Sequence, residues 1–311
     1  MDMASDVGFG ILIFKAIAIG LIVVTALVGN PMCIWILHRN DAILHAATRV
    51  FMTSMSISDL CVIILVTIPI LRATVKDTWP YSEDFCTATA FLNCTFMFTS
   101  TYSLVMVNFE RFAAVEWPFK HTRYISVKRA IFVVVLVWLI SPSFAYLYVF
   151  SKGRKAVYQV NFHSCLANSS NADELDIIGA IYVVFIALVP LSVCTISHIR
   201  LYLIARHHSR QISALTLHLP GSNNNTSVET SKRNIKAATT FLIMTFGLAI
   251  SWMPFVAVVT YENLTKMDPP AICMYLALIL LLLNTCQNVV IFYLRNAVFR
   301  EAAKKLVMSW F

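Results

Sequence analysis

Met52-Thr-Ser-Met-Ser-Ile-Ser-Asp59-Leu-Cys-Val-Ile-Ile-Leu-Val-Thr-Ile-Pro69-Ile-Leu71 is an apolar run with one acid in its interior. Its length matches the roughly 20 residues that a helix needs to cross a bilayer. A carboxylate at that depth costs about 2.5–3.5 kcal/mol or more, so Asp59 marks a functional position rather than an accident. Asn30, Ser100, Asn284 and Asn288 are neutral polar residues that each sit inside another apolar run. Together the five predict one buried polar cluster inside a helix bundle.

Working outward from Asp59, the chain divides into seven such runs, at roughly 9–37, 46–72, 85–113, 128–150, 176–205, 234–261 and 269–294. The composition agrees: 59% of the 311 residues are apolar and 13% charged, about half the charge of a soluble domain. The expected fold is all-α, a single seven-helix transmembrane domain over residues 1–311. The first run is too long for a signal peptide, lacks a basic leader and ends in Gly29-Asn30-Pro31, so it is read as a retained helix. Residues 207–231, with Pro220-Gly221-Ser-Asn-Asn-Asn225, are expected to be a flexible cytoplasmic loop. Residues 296–309 alternate apolar and basic positions at helical spacing and predict an amphipathic helix on the inner membrane face. Pro69, Pro142, Pro190 and Pro254 predict kinks within spans.

Of the 24 Lys and Arg, seventeen fall at one set of run ends and loops and seven at the other. The positive-inside rule then places the N-terminus outside and the C-terminus in the cytoplasm. The net charge of +8 needs no nucleic acid; membrane lipid is the counter-charge. On the outer, oxidising side lie Cys86 and Cys165. Pairing them would draw the 151–175 loop across the mouth of the bundle. Asn168 and Asn263 begin glycosylation sequons on that side.

The punctuation of these runs resembles the rhodopsin-like (class A) G-protein-coupled receptors over essentially the whole chain. Gly29-Asn30, Ser58-Asp59-Leu60, Cys86, Glu110-Arg111-Phe112, Trp138, Pro190, Ser251-Trp252-Met253-Pro254 and Asn284-Thr-Cys-Gln-Asn288-Val-Val-Ile-Phe292 occur in order, each on its own run. The resemblance implies a plasma-membrane receptor, not an enzyme, whose partners are a heterotrimeric G protein and an extracellular ligand.

It also assigns roles. Glu110-Arg111-Phe112 would be the G-protein coupling motif, with Arg111 neutralised at rest and freed when helix six moves outward. Asp59, Ser100 and Asn284 would hold an allosteric sodium ion, the only cofactor implied. Trp252, Pro254, Asn288 and Phe292 would form the activation switch. The ligand cavity would be lined by Asn93, Cys94, Met97, Tyr182, Ile186, Trp252, Phe255, Val256, Val259, Met274, Leu278 and Leu282, under a lid at His163–Leu166.

Departures from the family pattern sharpen this expectation. Asn93 stands where amine receptors carry an aspartate, and a buried ammonium without a counter-ion is strongly disfavoured. Leu282 stands where opsins carry the retinal-binding lysine. The expected ligand is therefore a small, not strongly cationic molecule, with a short peptide as the other option. Val289 replaces a proline after Asn288 and Phe292 replaces a tyrosine, while His198 and Leu248 replace a tyrosine and a phenylalanine. These changes keep open a receptor-fold chain that does not signal, such as a decoy or partner-dependent subunit. A seven-helix transporter is the remaining class. It would want more ionisable residues along a path, and Asp59 is the one acid read at membrane depth.

Overall fold

The computed structural model describes residues 3–40, 44–117, 120–121, 124–151, 154–160, 162–169, 177–218, 225–265, 267 and 269–308. Seven of its helices are long and apolar enough to cross a membrane. They are α1 (Met3–Arg39), α2 (Ala46–Val62, a π turn Ile63–Thr67, then Ile68–Lys76), α3 (Glu83–Glu116) and α4 (Val127–Phe150), followed by α5 (Ile177–Val183, a π turn Val184–Leu188, then Val189–His218), α6 (Asn225–Thr265) and α7 (Ala271–Arg295). The short α8 (Ala297–Met308) follows. The protein is a multi-pass membrane protein with the expected all-α bundle.

Helix starts are written locally. Ser82 caps α3, its hydroxyl accepting from the Phe85 amide at 3.3 Å, with Glu83 and Asp84 in the first turn, where acids complement the helix dipole. Ser126 caps α4 and Asn296 caps α8 through the Phe299 amide at 3.0 Å. That last helix buries Phe299 and Ala303 and exposes Lys304 and Lys305, as an interfacial helix should.

Two of the four prolines act through widened turns. The π turns of α2 and α5 immediately precede Ile68-Pro69 and Val189-Pro190. In a π turn the Phe185 carbonyl would accept from residue 190, which is a proline without an N–H. The Tyr102 hydroxyl of α3 donates to that carbonyl instead, at 2.9 Å, so the freed group is satisfied from a neighbouring helix.

Burial sets the architecture. Two-thirds (67%) of the most apolar 18-residue stretch of α3 is buried against 17% of that of α4, so α3 is the axis and α4 a lipid-facing stave. The α2, α4 and α5 helices pack on α3, while α7 packs on α1 and α6. The α1–α7 seam explains Gly29-Asn30. A Cβ on Gly29 would sit 3.1 Å from Val289 Cγ1, and the Asn30 amide donates to the Thr285 carbonyl of α7 at 3.0 Å.

Three expectations are corrected. Residues 207–231 are not a single loop: α5 continues to His218 and α6 begins at Asn225, leaving 219–224 outside the described residues. The reason is that Ser209–His218 contains neither Gly nor Pro, and the first breaker is Pro220-Gly221. The first helix begins at Met3, six residues before the expected start of the run. The 151–175 connection contains a hairpin, β1 (Arg154–Gln159) and β2 (Ser164–Ser169), antiparallel with Tyr158 opposite Cys165.

Candidate functional site

Three groups of functional side chains lie in order along α3: Asn93, Cys94 and Met97, then Ser100, then Glu110 and Arg111. At 1.5 Å per residue they span about 27 Å, nearly the hydrocarbon thickness. One buried helix therefore connects the two ends of the bundle.

At the hairpin end is a cavity of about 30 Å³ lined by Ala90, Asn93, Cys94, Met97, Tyr148, Cys165, Leu166, Ala167, Tyr182, Trp252, Phe255 and Leu281. The expected residues Asn93, Cys94, Met97, Tyr182, Trp252 and Phe255 are brought together here. Ile186, Val256, Val259, Met274, Leu278 and Leu282 lie outside the lining; on α7 it is Leu281 that faces in. The volume suits a water or two, against roughly 300–1,000 Å³ for a drug-sized ligand.

The cavity is small because the hairpin closes it. Cys86 and Cys165 are joined in a disulfide with Cα atoms 5.4 Å apart, fixing β2 to the start of α3. Arg154 is buried, with its guanidinium 4.4 Å from the Tyr148 ring centroid and hydrogen-bonded to the Ala167 carbonyl. Phe162, in the hairpin turn, is buried with its ring edge-on to Phe255 of α6, centroids 6.3 Å apart. His163 adopts a positive φ of 48° and turns away from the cavity, its Nε2 3.0 Å from Asp77 Oδ1. Burial holds the His163 imidazole below its ordinary 6.5, opposed by the Asp77 hydrogen bond and reinforced by the Lys15 charge.

The floor is Trp252, 2% exposed and edge-on to Phe255. Below it the polar cluster is present but divided. Ser100 Oγ donates to Asp59 Oδ1 at 2.6 Å, while Asn288 Nδ2 donates to the Asn284 backbone carbonyl at 3.3 Å. Asn284 Oδ1 accepts from Gln287 at 2.9 Å, whereas Asn30 belongs to the α1–α7 seam. Asp59 Oδ2 and Asn288 Oδ1 are buried acceptors without a donor among the described residues. Asp59 Oδ2 and Ser100 Oγ are oxygen donors of the kind a hard cation takes, whereas Asn284 Oδ1 is engaged by Gln287. Gln287 was not anticipated; it also accepts from Ser251 at 3.3 Å, and its Oε1 would lie 2.8 Å from a Cβ on Gly247. Phe292 stacks edge-on against Phe299, tying α7 to α8. His198 is hydrogen-bonded to Thr245 of α6 at 3.0 Å.

At the opposite end Glu110 is 1% exposed and its two oxygens divide the work. Oε2 accepts from Arg111 Nε at 2.5 Å and from Thr48 Oγ1 at 2.6 Å, and Arg111 Nη2 also reaches Thr48. Oε1 faces His121 Nε2 at 3.0 Å and His45 Nδ1 at 3.3 Å. Phe112 is half-buried with Trp117 edge-on to it. Thr48, His45 and His121 were invisible to sequence reading, because they come from the start of α2, the residue before it and the α3–α4 turn.

Seven spans around a central α3, a disulfide from α3 to a β-hairpin lid, and an Arg111 pinned at the far end of the same helix agree with the sequence comparison. The model of the 7 transmembrane receptor (rhodopsin family) matches residues 29–292. The chain belongs to the rhodopsin family. Squid rhodopsin superposes with a TM-score of 0.80 at 16% identity, over 97% of this chain and 86% of the other, a likeness of fold. Among curated relatives, a 5-hydroxytryptamine receptor 1 of Aplysia californica is 22% identical over 92% of this chain and 71% of its own length. Mouse trace amine-associated receptor 9 is 22% identical over 93% and 83%. Mouse neuropeptide FF receptor 2 is 24% identical over 80% and 60%. This class A receptor thus has amine-named and peptide-named relatives at similar distance, and none of them is an enzyme.

Proposed function

We propose that this receptor transmits the binding of a small, not strongly cationic molecule to a heterotrimeric G protein through outward movement of α6. In this reading the hairpin end is extracellular, the Glu110 end cytoplasmic and the residence the plasma membrane, as the Lys and Arg asymmetry supports. Asn168 and Asn263 are then positioned for glycosylation.

The observation that carries the reading is Arg111. It lies at the end of the helix that lines the cavity, and Glu110 and Thr48 hold it closed. An arginine pinned at the membrane boundary by a buried acid is available to a partner only when the bundle opens. The α6 helix is suited to transmit the change: its Trp252 floors the cavity and stands two residues before Pro254.

The cavity chemistry favours an uncharged ligand. Among the described residues no Asp or Glu lines it, so a protonated amine of the kind named in several relatives finds no counter-ion among them. At 30 Å³ it admits a ligand only when Phe162 and the hairpin shift, so ligand and opening are linked through differential affinity for the two states. A sodium ion, if bound, would be held by Asp59, Ser100 and Asn284, and would offset the cost of burying the Asp59 charge. Ser100 itself orients that carboxylate by hydrogen bonding.

The test is basal activation across a panel of Gα reporters for the wild type and Arg111→Ala at matched surface expression. The expected result is activity in the wild type that falls by about tenfold or more in the variant, the scale of one lost charged contact. Equal signalling by both overturns the mechanism. Silence of both, with rescue by Val289→Pro and Phe292→Tyr, supports the non-signalling reading, which the packing of Val289 on Gly29 and Phe292 on Phe299 favours.

A further inference from the structure

The geometry points to a divalent transition-metal site of the zinc class at His45, Glu110 and His121. One ligand atom from each lies within 4.8 Å of the others. The three residues come from separate segments: the end of α3, the residue preceding α2, and the turn between α3 and α4. That turn holds His121 firmly, its amide donating to Trp117 at 2.8 Å and its carbonyl accepting from Ile125 at 2.8 Å.

The distances fit a tetrahedral ion. Bonds of 2.0–2.1 Å from zinc to nitrogen and oxygen place neighbouring ligands about 3.3 Å apart. The His121–Glu110 and His45–Glu110 edges measure 3.0 and 3.3 Å. The imidazole centroids are 4.9 Å apart. The third edge closes by turning His45, whose side chain is 37% exposed and has room to move. The same exposure gives an ion its entry from water, and leaves the fourth position to solvent.

The carboxylate is prepared for this. Oε2 is committed to Arg111 and Thr48, which fixes the group in place and leaves Oε1 toward the imidazoles. A carboxylate oriented by such partners is the usual support of a metal ligand. Two imidazoles and one carboxylate select zinc-class ions over magnesium or calcium, which require more oxygen ligands. Arg111 and Arg49 are the nearby cations, and they lower the affinity without removing a ligand. Without an ion, Oε1 is in contact with His121 Nε2 at 3.0 Å and His45 Nδ1 at 3.3 Å. Binding replaces these contacts with metal–nitrogen bonds, any proton on a ligating nitrogen passing to the other ring nitrogen or to solvent. A bound ion joins the α1–α2 connection and the α3–α4 turn to the end of α3 in the arrangement where Arg111 is pinned.

The experiment uses the purified full chain in lipid nanodiscs, with Zn²⁺ or Co²⁺ alone as the probe. Expected are one equivalent of Zn²⁺ bound, a higher Tm with Zn²⁺ but not Mg²⁺, and visible ligand-field bands of tetrahedral Co²⁺. His45→Ala and His121→Ala should each weaken Zn²⁺ binding by about tenfold or more, the range seen even for residues beyond the ligand shell. The exposed His38→Ala, at the end of α1, should change nothing. His45→Cys should retain Co²⁺ and add a thiolate-to-metal charge-transfer band, which a variant that merely misfolds cannot show. No Zn²⁺ binding by the wild type, binding that survives both alanine variants, or Co²⁺ bound to His45→Cys without that band each overturns the site.

Discussion

The two ends of α3 are closed by different physics. At the hairpin end, closure is chiefly covalent and apolar, with Arg154 and His163 contacts beside it: a disulfide holds β2 to α3, and Phe162 packs on Phe255. At the Glu110 end it is polar: one buried carboxylate carries Arg111, Thr48, His121 and His45. Apolar and covalent closure is insensitive to charge and hard to exchange, whereas hydrogen bonds to a buried acid can be traded for a partner's. A receptor that must hold a lid at one end and release an arginine at the other benefits from that division.

The largest expected effect breaks the covalent side. Cys86→Ala or Cys165→Ala removes a cross-link spanning 79 residues, about 4–5 kcal/mol in the chain-entropy model. A thermal unfolding series should show the loss, and surface expression should fall while the Glu110 pairing is untouched. Unchanged Tm in both variants would mean that the lid is held by packing alone.

Glu110→Gln attacks the other end. It removes the charge that neutralises a partly buried Arg111, at a cost to the closed state of about 2 kcal/mol after allowing for solvent at the arginine. Basal reporter activity should rise roughly 30-fold, since 1.4 kcal/mol is tenfold. A fall would show that Glu110 serves the active state instead.

Between the two ends, Gly29→Ala sets a methyl 3.1 Å from Val289 Cγ1 and should cost about 1–2 kcal/mol by overpacking, read as a lower Tm with the hairpin and coupling intact. Val289→Ala in the same chain should recover part of the loss.

The smallest effect is pH-dependent. Burial holds His163 below 6.5, so below that pH the unfolded chain binds a proton that the folded chain refuses. The stability from neutral His163 is fully present above about pH 6.5 and declines as pH falls through its folded value. His163→Gln should flatten the decline in Tm between about pH 7 and 5. An unchanged slope would assign it to His45, which burial also holds low at the other end, with Glu110 opposing.

Much of this was legible in the chain. Asp59 with Ser100, Glu110 with Arg111 and Cys86 with Cys165 are paired in the structure, and Trp252 stands two residues before Pro254, whereas Asn284 is hydrogen-bonded to Gln287. Their signals are local: an ion pair between adjacent residues, a tryptophan two before a proline, an acid inside an apolar run. The cavity was half legible. Asn93, Cys94 and Met97 share the inward face of α3, but helical spacing alone did not say that Leu281 rather than Leu282 faces it on α7.

The hairpin, the Gln287 contacts and the His45–Glu110–His121 cluster were not legible, because nothing local marks them. Sequence by itself determined the seven spans, since bilayer thickness fixes how long an apolar run must be and water rejects it elsewhere. Only the tertiary structure decided which polar groups meet. That depends on helix rotation and loop path, set by packing among residues as far apart as Gly29 and Val289, over distances at which sequence period carries no information.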